Sequence, residues 1–294
     1  EEWREDLTFA VDDAFSYEST SAVNSPVLVG ESVIDGIRLL EYEVQSEGDQ
    51  AYIPFGIAVP PEADGPGNHH VVMVFHGHGE TAGSVFDPNT EMNNIGGELL
   101  ERGYVVVSVE MRSFGKFTII GQGHDEYIRG LASGEFVGRV VADNIQVAET
   151  LLKVYEDEGF DSLSVLGHSF GGYAALHVGA LLDEVDRTMS SGHFSPYGCM
   201  NTDYHDPCQD VLKAEGRFEI YDTVGLVSPR KVDLFYNTGD SFYTPAADEG
   251  FERLSAIFEK TGAPGNASFT VTSGLGHEVP VEAVLERFPP IDEL

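Results

Sequence analysis

Residues 167–171 read Gly167-His168-Ser169-Phe170-Gly171, a serine with a glycine two positions to either side. The apolar run Leu163-Ser164-Val165-Leu166 precedes it, and Gly172-Tyr173-Ala174-Ala175-Leu176-His177-Val178 follows with the composition of a helix. A serine at so abrupt a strand-to-helix turn takes strained backbone angles, and the glycines let neighbouring backbones pass without a Cβ clash. Its hydroxyl then stands at a helix N-terminus, where developing negative charge is favoured. The chemistry this allows is nucleophilic attack on a carbonyl. A glycine-rich turn without chemistry is the alternative that the pentapeptide alone leaves open.

A serine hydroxyl is a poor nucleophile until a base takes its proton, and the base needs a carboxylate to fix its tautomer and stabilise its cation. Downstream, Val232-Asp233-Leu234-Phe235-Tyr236-Asn237 reads as a buried strand running into Thr238-Gly239-Asp240, which puts Asp240 just past a strand's carboxyl end. Asp240 is the expected acid, with Asp248 as the alternative. Asp248 is expected inside the helix that follows Pro245, which makes it the weaker choice. Ala267-Ser268-Phe269-Thr270-Val271-Thr272 alternates like a last strand and leads to Gly274-Leu275-Gly276-His277, making His277 the expected base. Upstream, the apolar run Val71-Val72-Met73-Val74-Phe75 ends in His76-Gly77-His78-Gly79. The N–H of Phe170, next to the nucleophile, and that of His78 or Gly79 are the expected oxyanion donors. Only backbone is needed there, so the side chains of His76 and His78 are free for structural work.

These residues resemble the α/β-hydrolase superfamily, and more narrowly its acetyl xylan esterase and dienelactone hydrolase-like branches. The resemblance spans about residues 50–285. It rests on His76-Gly77-His78-Gly79, Val109-Glu110-Met111-Arg112-Ser113-Phe114-Gly115, the Ser169 pentapeptide, Ser228-Pro229-Arg230 and Gly276-His277. The order Ser, Asp, His along the chain is the order of that superfamily. Glu110 stands where the family usually has Asp, and Ser113 where it has Gly. Asp240 follows Gly239 directly, where the family more often has two intervening residues. The resemblance implies a serine carboxylic-ester hydrolase acting through an acyl-enzyme on short acyl groups, such as acetyl on carbohydrate, without cofactor or metal. A peptidase or amidase of the same fold is the alternative enzyme, and a non-catalytic binding protein of that fold is the alternative outside catalysis. Relatives with haloalkane or epoxide chemistry place Asp where this chain has Ser169.

The elements that must position these residues alternate strand and helix. Strands are expected at 71–75, 104–109, 163–166, 187–191, 232–237 and 267–272, and helices near 91–102, 139–157, 172–183 and 246–261. That alternation implies an α/β fold with a doubly wound, mostly parallel sheet. Residues 1–50 are expected as an N-terminal arm and edge strand, with 1–30 a polar wrapping arm. Residues 51–294 then form the catalytic domain. Strands 33–44 and 52–59 are expected at the sheet edge, joined through Glu47-Gly48-Asp49. The stretch 192–226 has no clear period and is the expected place of a small cap or lid.

At 294 residues and 41% hydrophobic content the chain can bury a large core, and no apolar run approaches the ~18 residues of a membrane span. Its 50 acidic against 16 basic residues give a net charge of −34. Such a field excludes nucleic acid and anionic membrane surfaces as partners, because phosphate contacts need cations. The resemblance implies a small-molecule or carbohydrate ester as the partner. Acidity of this degree fits a high-salt habitat, where screening removes self-repulsion, and equally an ordinary acidic secreted enzyme. A chain beginning at Glu1 without methionine fits a processed secreted protein and equally a shortened piece of chain. Cys199 and Cys208 bound a polar loop whose closure by a disulfide is expected to add roughly 2–3 kcal/mol. A zinc site of Cys199, His205 and Cys208 lacks a fourth ligand at a familiar spacing. His168 is expected to pack rather than react, Asp143 to pair with Arg112, and His124-Asp125-Glu126 to form a solvated loop.

Overall fold

The computed structural model describes residues 2–15, 24–46, 51–60, 69–118, 123–154, 160–197, 214 and 216–294. Cys199 and Cys208, the turns at 47–49 and 64–67, and residues 198–213 and 215 of the expected lid lie outside them. Nine strands form one sheet: β1 (Val27–Ile34), β2 (Ile37–Gln45), β3 (Tyr52–Ala58), β4 (His69–Phe75), β5 (Val105–Val109), β6 (Phe160–His168), β7 (Arg187–Ser191), β8 (Lys231–Asn237) and β9 (Ala267–Thr272). Their spatial order is β1-β2-β3-β5-β4-β6-β7-β8-β9. Neighbours from β5 through β9 run parallel, while β1, β2 and β3 pair antiparallel and join through β3 against β5.

The central parallel strands β4 and β5 read as nearly continuous apolar runs because both faces are covered. Along β4, Val71, Met73 and Phe75 enter one core cluster, and Val72 and Val74 enter another on the opposite face. The first cluster is closed by α1 (Glu2–Phe15), α4 (Glu135–Val154), α5 (Phe170–Leu181), α6 (Ile220–Gly225) and α7 (Pro245–Lys260). The second is closed by α2 (Ile95–Glu101) and α8 (Val281–Leu285). A short helix, α3 (His124–Ile128), replaces the expected solvated loop at His124-Asp125-Glu126. Among the described residues, no helix is long and apolar enough to cross a membrane.

Three local expectations are corrected. The single edge strand expected at 33–44 is two strands, β1 and β2, folded back at Asp35-Gly36. Both turn residues have positive φ, 46° and 86°, as a tight primed hairpin requires. The polar stretch expected to wrap as an arm begins with the helix α1. Leu7, Ala10, Val11, Ala14 and Phe15 lie at helical spacing and pack on the first cluster. The approach is close enough that a Cβ on Gly134 or Gly138 of the facing segment would overlap the carbonyls of Ala14 and Phe15. Within 192–226, Phe194, Tyr197, Ile220 and Val224 are buried core residues, so the described part of that stretch is scaffold.

Beneath the elbow the core holds two histidines. His177 donates from Nδ1 to the Tyr173 carbonyl at 2.8 Å and accepts at Nε2 from the Tyr197 hydroxyl at 2.9 Å, which fixes the neutral tautomer. Burial pushes its pKa down to about 4, and that of His193 to about 3. Their cost is absent above the ordinary imidazole value of 6.5 and grows as pH falls, because the unfolded chain takes up protons that the folded chain refuses. Asp12, half-buried on α1, is pushed up to about 6 by burial and acts in the opposite direction. Between pH 6 and 4 two histidine protons outweigh one carboxyl proton, a difference of one. Stability should therefore fall on acidification across that window. Melting temperatures at fixed ionic strength should drop steadily between pH 6.5 and 4, and a flat profile would show that these histidines take up protons in the folded protein.

Candidate active site

Ser169 sits between the end of β6 and the start of α5 with φ 53° and ψ −121°, a region that costs a non-glycine residue of order 1–3 kcal/mol. The surrounding backbone holds it there. The Ser169 N–H donates to the Ser191 carbonyl at 2.8 Å. A Cβ on Gly167 would lie 2.0 Å from the Gly171 carbonyl oxygen, and one on Gly171 would lie 2.1 Å from that of Phe75. The expected reason for the two glycines is thus met by contacts with α5 and with the end of β4.

The Ser169 hydroxyl donates to His277 Nε2 at 2.8 Å, and His277 Nδ1 donates to Asp240 Oδ2 at 2.9 Å. A carboxylate can only accept, so the proton belongs on Nδ1 and leaves the Nε2 lone pair for the serine. Asp240 is buried, and its other oxygen accepts from the Phe242 N–H at 2.8 Å. Asp248 is exposed in the first turn of α7, where both its oxygens accept from the Tyr243 hydroxyl at 3.1 Å, away from His277.

The loops bearing Asp240 and His277 are laced together. Asn237 Nδ2, at the end of β8, donates to the carbonyls of Gly276 and Glu278 at 2.8 and 2.7 Å, one on each side of His277. Gly239 N–H donates to the Leu275 carbonyl at 3.0 Å, and a Cβ there would come within 2.5 Å of that oxygen. Gly192 closes the back of the site with φ 68°. Its added Cβ would stand 3.0 Å from Cε1 of both His168 and His277 and 3.2 Å from Asp240 Oδ2.

Phe170 is the first residue of α5 and is buried, while His78 and Gly79 lie exposed at the tip of the loop after β4. That loop is closed by Gly77 N–H donating to Glu80 Oε2 at 3.0 Å and Glu80 N–H donating to the Gly77 carbonyl at 3.3 Å. His76 is buried and accepts from the Met111 N–H at Nε2, which makes it a brace between loops. His78 shares a proton with His124 at 3.0 Å between Nε2 atoms, and His124 Nδ1 meets Ser113 Oγ at 2.6 Å. Arg112 forms a buried two-point ion pair with Asp143 at 2.7 and 2.8 Å, a structural role.

No family model matches the sequence, and no curated protein matches it. Solved structures do. A candidate acetyl xylan esterase from Bacteroides fragilis superposes with a TM-score of 0.69 at 15% identity, over 92% of this chain and 74% of that one. The chain has the α/β-hydrolase fold. A glucuronoyl esterase from Solibacter usitatus gives 0.64 at 16% identity, over 96% of this chain and 90% of that one. Acetyl xylan esterase 1 from a Thermoanaerobacterium species gives 0.64 at 18% identity, over 98% and 96%.

Sequence reasoning passed over Asn237, Gly192 and Glu91, which lies close to both His168 and His277. Asn237 was hidden as the polar end of an apolar strand, and the demand on Gly192 exists only in three dimensions. Glu91 falls in the range expected as helix but precedes α2, in a turn where Asn93 and Asn94 take positive φ. Asp240→Asn should slow acylation by p-nitrophenyl acetate by roughly 10²–10⁴, because it favours the wrong tautomer of His277, while Asp248→Asn should change it less than about twofold. Burst kinetics on folded variants check this, and the reverse pattern would move the acid to Asp248.

Proposed function

We propose that this α/β-hydrolase-fold protein is a serine carboxylic-ester hydrolase working through an acyl-enzyme, with short acyl esters of carbohydrate as its substrate class. The observation that carries the reading is the unbroken hydrogen-bond chain Ser169–His277–Asp240, outside the carboxyl ends of the parallel strands. Its mechanism follows from the tautomer. Ser169 Oγ attacks the ester carbonyl carbon as its proton passes to His277 Nε2, and Asp240 stabilises the imidazolium so formed. The Phe170 amide and that of His78 or Gly79 donate to the oxyanion. The imidazolium then protonates the departing alkoxide. Water repeats the path, giving its proton to His277 and releasing the acid.

Aromatic rings crowd the elbow and support a small acyl group. Phe136 stacks on Phe170 with centroids 5.9 Å apart, Phe114 lies 6.2 Å from Phe170, and Phe242 packs 4.6 Å from the His277 ring. The carbohydrate part is supported by the folds it resembles, in which sugar supplies the alcohol in acetyl xylan and the acyl group in a glucuronoyl ester. The same reading includes an extracellular location and a Cys199–Cys208 disulfide, for which the support is compositional.

A panel of p-nitrophenyl esters from acetate to palmitate, with acetylated xylan, a glucuronate ester and a peptide anilide beside it, tests this. Acetate should be turned over at least tenfold faster than palmitate, acetylated xylan should release acetate, and Ser169→Ala should lose roughly 10³-fold or more while keeping its fold. Preference for the anilide would make the protein an amidase. Near-normal turnover by folded Ser169→Ala would remove the mechanism.

A further inference from the structure

His168, the residue before the nucleophile, is wholly buried. Its Nδ1 is engaged by Ser191 Oγ at 3.1 Å, while its Nε2 has no hydrogen-bond partner among the described residues. A buried polar group left unmet is destabilising. The nitrogen faces Glu91 Oε2 at 3.7 Å, inside ion-pair range but beyond a hydrogen bond. The ring of His277 lies beside it, with centroids 4.6 Å apart, and one ligand atom from each of Glu91, His168 and His277 falls within 4.8 Å of the other two.

We propose that Glu91, His168 and His277 form a binding site for a divalent transition cation of the Zn2+ type, and that its occupancy reversibly switches the esterase off. Two imidazoles and one carboxylate are a donor set that such ions take with an open fourth position. Bonds of roughly 2.0–2.2 Å put neighbouring ligand atoms of a tetrahedral ion about 3.4 Å apart, so the 3.7 Å gap is close to the required opening. The three ligand atoms lie within 4.8 Å of one another, so binding must draw them closer, and the Glu91 side chain, 47% exposed, is the least confined of the three.

The outer contacts favour the same ligand atoms. Asp240 holds Nδ1 of His277 and Ser191 holds Nδ1 of His168, so each ring offers Nε2, as second contacts to metal-bound histidines do. The Glu91 backbone is pinned on both sides: its N–H donates to Glu80 Oε1 at 3.1 Å, and its carbonyl accepts from Val279 N–H at 2.8 Å. On binding, the ion takes the His277 Nε2 lone pair that otherwise accepts the Ser169 proton. The inhibition rests on His277 being the general base; the binding does not.

Two measurements separate those claims. Co2+ added to Ser169→Ala, which frees His277 Nε2 without needing any activity, should give the visible absorption of a four-coordinate ion with one equivalent bound. Glu91→Gln in that background should weaken binding at least roughly tenfold, more than loss of an outer contact does. In the active protein, micromolar Zn2+ should inhibit p-nitrophenyl acetate hydrolysis, EDTA should reverse it, and Mg2+ at equal ionic strength should not inhibit, since it prefers oxygen ligands. Glu91→Gln, compared with its own metal-free rate, should need at least tenfold more Zn2+. The same Zn2+ sensitivity in Glu91→Gln, or no Co2+ absorption in Ser169→Ala, would overturn the site. Co2+ binding without inhibition by Zn2+ would keep the site and overturn the switch.

Discussion

The site depends on how closely one backbone turn passes its neighbours. Ser169 is held in a backbone conformation that serine does not choose, because β6 must reverse into α5 within one residue. Gly167 and Gly171 leave no room for a side chain between that turn, the first turn of α5 and the end of β4. Strain of this kind persists only when the surroundings over-determine it. Here they do, through the Ser169 N–H bond to Ser191 and the apolar strands β4 and β6 buried on both faces. The hydroxyl is thereby raised over the sheet where the loops after β4, β8 and β9 converge.

Convergence alone would leave Asp240 and His277 on separate loops. They are coupled by backbone contacts rather than by charge: Asn237 grips the carbonyls flanking His277, and Gly239 lies against Leu275. The imidazole is therefore oriented by the same segment that carries Asp240. Behind it, Gly192 admits His168, His277 and Asp240 to one small volume. In a chain of net charge −34, such a compact group works through short hydrogen bonds shielded from water, where interactions are stronger than at the exposed acidic surface.

Much of this was legible in the sequence, for physical reasons. Strands buried on both faces are continuous apolar runs, and side chains that meet over a parallel sheet come from the residues just past those runs. That rule picks out Ser169, Asp240 and His277, whose side chains the structure joins by hydrogen bonds, and Asp240 is buried where Asp248 is exposed. What escaped was tertiary. The α1 helix carries enough charge on its outer face to read as a tail, and its apolar stripe acquires meaning only against Gly134 and Gly138 of the segment it meets. The Asp35-Gly36 hairpin was masked by unbroken strand-like residues on both sides. Glu91 and Asn237 bear on the site through backbone paths from elements distant in sequence.

The central claim is that the strained turn and its hydrogen-bonded partners make Ser169 uniquely nucleophilic. Reaction of the native protein with a fluorophosphonate, followed by intact mass and peptide mapping, tests it most directly. The account predicts one adduct per chain, on Ser169, with labelling lost when the protein is unfolded first. No adduct, or adducts scattered over other hydroxyls at the same rate before and after unfolding, would contradict it.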